Sequence, residues 1–246
     1  MLGWFALRPD TSIEDAEWLL ARAAGFDAGF TLATSLASTA QLAADANSAD
    51  TAKRFGATLA ILEAIKQWET ARMAGAFPPE IKADLRDNTR EFHLEPVSAG
   101  GWHLYAAHAE RFTHDAGQTT ATNWTFQNPH AAQRLQWVVR CVGPRPLKGV
   151  TVEINGKPAL SLDEHAVPGG GALRYAGGSE ASICDSTWKE LARVPVATEA
   201  VQIGSGAQQI AVACRSQSGS SLKIELRTLG PATTIGGQAG KQTGTR

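Results

Sequence analysis

The chain has 246 residues, 43 % of them hydrophobic and 19 % charged, with a formal net charge of −1. That is enough apolar content for a packed core in one large domain or two ordinary ones. No basic footprint points to nucleic acid, and no apolar run reaches the roughly 20 residues that span a bilayer, so neither is expected as a partner.

The first residues, LGWFAL over 2–7, read as a short buried strand. After Pro9, Thr11 and Glu14 stand at the T-x-x-E spacing of a capping box and predict a helix start. Ile13, Ala16, Leu20 and Ala23 continue at helical spacing, and Gly25 is placed to end the helix. AGFTLATS, 28–35, predicts a second short strand, followed by a weak Ala-rich helical stretch. A long helix is predicted over about 49–74, with an apolar stripe of Phe55, Leu59, Leu62, Ile65 and Trp68. Phe77-Pro78-Pro79 breaks it, and EIKADLRDN predicts a short helix beyond.

Short apolar strands alternating with helices predict βα units and a parallel sheet. Two such units cannot close a barrel, which takes about 250 residues. Residues 1–90 are therefore expected to be a partial (β/α) barrel-like segment whose sheet needs strands this sequence does not supply. The rival expectation is a small, complete α/β layer.

From Glu91 the apolar period changes to two. EFHLEPV, GWHLYAA, NWTFQN, RLQWVVRCV, GVTVEING and further runs to SLKIELRTLG predict short strands separated by Gly, Pro and Asn turns. Asn155-Gly156 predicts a type I′ hairpin. The fold class expected is thus α+β and multidomain, with an antiparallel β-sandwich or jelly roll over 91–231. A finer division sets a linking sheet over 91–127 before a jelly roll over 128–231. Residues 232–246, rich in Gly, Thr and Gln, are expected to be a flexible tail.

The order LGWF…EDAEWLLARAAGFDAGF…EAIKQWETARMAGAF…LRDNTREFHL resembles the last strands and helices of a bacterial glycoside-hydrolase-like (β/α)8 barrel. LRYAGGSEASICDSTWKEL…VQIGSGAQQIAVACRSQSGSSLKIELRTLG is similar to a galactose-binding-like jelly roll. The resemblance implies the C-terminal part of a carbohydrate-active protein, a poly- or oligosaccharide partner, and a parent that is secreted or periplasmic, although no signal peptide is visible. Strands matching the first six of such a barrel are absent, so a complete active site is not expected, and self-association through exposed sheet surface is. The alternative is a stand-alone, non-catalytic carbohydrate-binding or adhesion module.

Glycosidases set two carboxylates across the bond they cleave, and barrels place them at the C-terminal ends of strands. Those ends fall at Arg8-Pro9-Asp10 and Thr34-Ser35. Asp10 is the one carboxylate so placed and the weak catalytic candidate, with Arg8 as a substrate clamp. Glu14 and Asp15 are better explained by the helix N-terminus. His93, His103, His108 and His114 match no metal spacing and are expected to be scattered, partly exposed strand residues. Cys141, Cys184 and Cys214 form no C-x-x-C pair; buried thiols are expected, with one disulfide as the alternative.

No cofactor is expected. A calcium ion held by Asp163, Glu164 and Asp185 is the minor alternative, since no D-x-D-x-D-G loop surrounds them. Pro168-Gly169-Gly170-Gly171 lacks the lysine of a phosphate loop and reads as a flexible connection. Among the aromatics, Trp137 is expected in the core and Trp68 between domains. Trp188 and Asp185 in DSTW are the ligand candidates together with Tyr175.

Overall fold

The computed structural model describes residues 1–8, 10–34, 58–115, 117–118, 120–215 and 219–236. The Ala-rich stretch after residue 35, Ser35 itself, Phe55 with the start of the predicted long helix, and the end of the predicted tail lie outside them. The chain divides into two compact units. The first is Met1–Leu36, Ala60–Ala107 and Leu229–Arg246; the second is Ala37–Leu59 and His108–Thr228.

In the first unit, β1 (Trp4–Leu7) pairs in parallel with β2 (Thr31–Thr34), Trp4 opposite Thr31 and Leu7 opposite Thr34. The expected βα unit is therefore present, but these two strands form a sheet of their own and no barrel is shown. Trp4 is 78 % exposed, and Leu2 and Ala6 are exposed with it, so the run read as a buried strand presents apolar side chains to solvent.

The connecting helix α1 (Ile13–Phe26) starts one residue later than the T-x-x-E spacing predicts. Ser12 is the N-cap, at φ −88 and ψ 167, and closes a capping box with Asp15. Thr11 instead accepts a hydrogen bond from Arg8 N–H at 2.9 Å. Gly25 does not end the helix; Asp27, in the left-handed region at φ 50, does. Gly25 is needed for a close approach, because a Cβ there would lie 2.9 Å from the backbone of Leu85 and Arg86.

Helix α2 (Thr58–Met73) buries Ile61, Trp68 and Ala71, so its stripe is centred on Ile61 rather than Leu62. Trp68 is stacked on Phe77 at 5.8 Å in this unit's own core. Helix α3 (Pro79–Arg86) begins at the proline pair as predicted. β3 (Glu91–Pro96) and β17 (Thr233–Ile235), the latter within the expected tail, both pair antiparallel with β4 (Trp102–His114). One face of this sheet contributes Phe92, Leu94, Leu104 and Ile235 to the core.

The second unit is an antiparallel β-sandwich. After β4 the chain forms β5 (Thr122–Asn128), β6 (Gln133–Arg134), β7 (Gln136–Val142), β8 (Leu147–Ile154), β9 (Lys157–Ser161), β10 (Ala166–Val167), β11 (Ala172–Tyr175) and β12 (Glu180–Cys184). β13 (Glu190–Pro195), β14 (Gln202–Ile203), β15 (Gly206–Arg215) and β16 (Ser221–Leu229) follow. The smaller sheet runs β10-β8-β15-β5, with β9 also on β8; in the larger, of eight strands, β13-β12-β11-β7-β16 are consecutive.

The hairpin between β8 and β9 turns at Asn155, φ 51, and Gly156, φ 76, the left-handed pair its sequence predicts. Alternate residues of both sheets face inward: Val150, Val152, Ile154, Ile210 and Val212 from one, Trp137, Val139, Leu173, Ile183 and Ile224 from the other.

Candidate functional site: the outer face of the larger sheet

Alternation sends the other half of the larger sheet's residues outward. Two cross-strand rows result. Glu225, Val138, Arg174, Ser182 and Arg193 lie in register across β16, β7, β11, β12 and β13. Lys223, Arg140, Ala172, Cys184 and Glu190 form the neighbouring row.

The turn between β12 and β13 lays an aromatic ring on these rows. Asp185 Oδ1 accepts hydrogen bonds from the Thr187 N–H and hydroxyl, both at 2.8 Å, and from Lys189 N–H at 3.0 Å. This folds the turn back on itself and places Trp188 at φ 63. A bulky residue in the left-handed region is strained and persists only where its surroundings hold it. Here the indole packs on Val138, Ala172 and Cys184, and the Arg140 guanidinium lies over it, 4.6 Å from the ring centroid.

The same two rows carry polar groups. Glu190 accepts from the Ser182 hydroxyl at 2.7 Å and from Arg193 Nε at 2.9 Å. Glu225 pairs with Arg111 at 2.8 Å. Beneath the ring, burial and then the nearby Glu190 charge push the Cys184 thiol up to about 11, so it serves as an uncharged packing group.

The expected pair of ligand residues is not brought together. Tyr175 is 1 % exposed, donates its hydroxyl to Gly178 O at 2.9 Å and packs on Trp137 with ring centroids 4.3 Å apart. It points into the sandwich, whereas Trp188 lies on the opposite face of the same sheet. Asp185, expected to be a ligand residue, has Oδ1 engaged within the turn. Arg8 and Asp10 belong to the first unit, both exposed in the connection from β1 to α1.

The glycine run is not loose. A Cβ on Gly169 would lie 2.2 Å from Pro144 O, and one on Gly171 2.4 Å from Cys184 O, so the backbone there is packed against two neighbouring segments. All three cysteines are buried free thiols. Among the described residues no group of three or more His, Cys, Asp or Glu side chains is placed to hold a metal ion, and Asp163, Glu164 and Asp185 do not form one.

Of the four strand histidines, His114 is fully buried, with Nδ1 2.7 Å from the Thr122 hydroxyl, against the expectation of exposure. His93 and His108 face carboxylates, Glu17 with Glu95 and Glu110 respectively. An open groove of about 410 Å³ between 158–161 and 195–197 is lined mainly by apolar side chains, with Ser161 the one polar side chain among its lining residues.

Arg140, Ser182 and Glu190 were not singled out from the sequence. The signal was available: in RLQWVVRCV, period two sets Gln136, Val138 and Arg140 opposite the core residues Trp137, Val139 and Cys141.

No family model matches the chain, and no curated protein matches it. Solved structures similar to part of it include a family 35 carbohydrate binding module from Clostridium thermocellum, at 13 % identity and a TM-score of 0.25, over 55 % of this chain and 86 % of that one. A second is a family 35 carbohydrate binding module from an environmental isolate, at 12 % identity and a TM-score of 0.26, over 59 % and 88 %. Likenesses of that size carry no weight for what this chain binds.

Proposed function

We propose that the chain is a non-catalytic carbohydrate-binding module, and that a poly- or oligosaccharide docks on the outer face of the larger sheet. One observation carries this: Trp188 is held in a strained backbone conformation with its indole under Arg140, on a sheet face whose cross-strand rows also carry Arg174, Ser182 and Glu190. A pyranose offers an apolar C–H face to an aromatic ring and a rim of hydroxyls to charged hydrogen-bonding groups. Trp188 is 8 % exposed with Arg140 over it, so binding requires that guanidinium to swing from the ring onto the sugar hydroxyls.

Affinity electrophoresis of the full chain through gels carrying soluble polysaccharides tests the reading. Retardation by at least one glycan, weakened about tenfold (about 1.4 kcal/mol) in Trp188→Ala, is the expected result. Retardation by none of a broad panel would remove its basis.

A second reading has one observation in its favour. β1 and β2 are parallel neighbours joined through α1, the unit from which a glycoside-hydrolase-like barrel is built. On this reading Asp10 is the candidate acid or base, and the exposed apolar side chains of Met1, Leu2 and Trp4 are a surface for self-association. Self-association in sedimentation, with no turnover of an aryl glycoside by the chain alone, is the expected result; a monomer that exposes no dye-binding surface would discard it.

A further inference from the structure

The first unit contains an ionisable cluster that saccharide binding does not use. Glu17 is 2 % exposed on the inner side of α1. Its Oε1 accepts the Leu94 N–H at 3.3 Å, on the side of β3 away from β4, and the Trp68 Nε1–H at 3.4 Å. Both of its oxygens lie 2.9 Å from His93 Nδ1. The other ring nitrogen, Nε2, is 3.2 Å from Glu95 Oε1, and Glu95 Oε2 accepts the Tyr105 hydroxyl at 3.1 Å. One buried carboxylate therefore joins α1, α2 and β3, and its partner is an imidazole with a carboxylate on each side.

We propose that Glu17 and His93 form a pH-operated latch, which fastens α1 to the outer edge of β3 while the imidazole carries its extra proton and loosens that edge when the proton leaves. The chemistry is a matter of donor count. A protonated imidazole donates from both nitrogens and satisfies both carboxylates. A neutral one has a single N–H, so either Glu17 or Glu95 then faces a lone pair. Glu17 is the buried one, and a buried carboxylate that loses its cation is costly to keep. Water entry at the Leu94 N–H and the Trp68 indole is the relief.

The groups that face His93 favour the charged form. Glu17 comes from α1, and Glu91 and Glu95 lie two residues to either side on β3. From β4, Tyr105 stacks on the imidazole at 6.1 Å, with His103 edge-on to Tyr105 at 6.2 Å, and α2 contributes Trp68, which does not titrate. Burial alone pushes the imidazole down; the hydrogen bonds and charges of Glu17, and after them those of Glu95, outweigh it and raise the value above 6.5. A raised folded-state value means the contribution is complete below the unfolded imidazole's 6.5 and is lost as pH rises through the folded value.

Amide hydrogen exchange of the full chain, followed by NMR from about pH 5.5 to about pH 9, spans the range in which an imidazole titrates. The Leu94 protection factor, corrected for intrinsic exchange, falls several-fold through the midpoint at which the His93 ring resonances titrate. In His93→Gln that fall disappears. If His93→Gln does not fold, Glu95→Gln decides, since it leaves the Glu17 contact in place and shifts the midpoints of both curves to lower pH together. Leu94 protection that stays flat across the His93 titration, or a midpoint unmoved by Glu95→Gln, overturns the latch.

Discussion

In the first unit, α1 packs through Leu20 and the alanines Ala16, Ala21, Ala23 and Ala24, and its buried face also carries Glu17 and Arg22. The Arg22 guanidinium donates to the carbonyls of Leu85, Asp87 and Arg90, closing the end of α3 and the start of β3. Burial lowers its affinity for the proton, against the opposing charge of Asp87. In the second unit the interior between the sheets is a continuous cluster of Val, Ile and Leu with Phe126, Trp137 and Tyr175. Small side chains bring helices close but bury little area, so charge-assisted hydrogen bonds supplement the apolar core of the first unit, whereas branched side chains on a pleat fill the interior of the second.

That contrast can be broken from either side. The largest effect belongs to the sandwich. Trp137→Ala removes a fully buried ring from between the sheets and loses about 3–5 kcal/mol in urea unfolding. A loss under about 1 kcal/mol would mean that Trp137 does not organise the core. In the first unit, Gly25→Ala forces a methyl into the backbone of Leu85 and Arg86, costing about 1–3 kcal/mol, read as lost amide protection in α1 and α3. Stabilisation there, as expected of an ordinary helical Gly→Ala change, would contradict the close packing.

The smallest effect sharpens the helix start. Ser12→Ala costs about 1 kcal/mol, and Thr11→Ala less, because the Ser12 hydroxyl bonds the Asp15 N–H while Thr11 serves only the turn before. Equal losses would return the cap to Thr11.

The second unit was more legible in the sequence than the first. Period two after Glu91 and the Asn155-Gly156 turn are local signals, and each strand displays its own inward residues. The first unit's organisation depends on contacts between residues far apart in sequence. Gly25 resembles a helix terminator until Leu85 is known to lie against it, and Glu17 resembles a solvated charge until His93 is known to face it. One sign was present: Glu17 falls between Ile13 and Leu20 on the helix's apolar stripe, an improbable place for an unpartnered carboxylate.

The candidate site was half legible. DSTW marked the turn and the indole, but pairing Tyr175 with Trp188 overlooks period two in ALRY, which sets Tyr175 with the core residue Leu173 and opposite Arg174.

The proposed function is tested most directly by mapping a saccharide that retards the full chain onto its backbone amide resonances. Binding on the outer sheet face predicts shifts concentrated at Val138, Arg140, Arg174, Ser182 and Trp188, with Leu173 and Tyr175 shifting little. Shifts confined to the first unit, or the same map retained in Trp188→Ala, would contradict it.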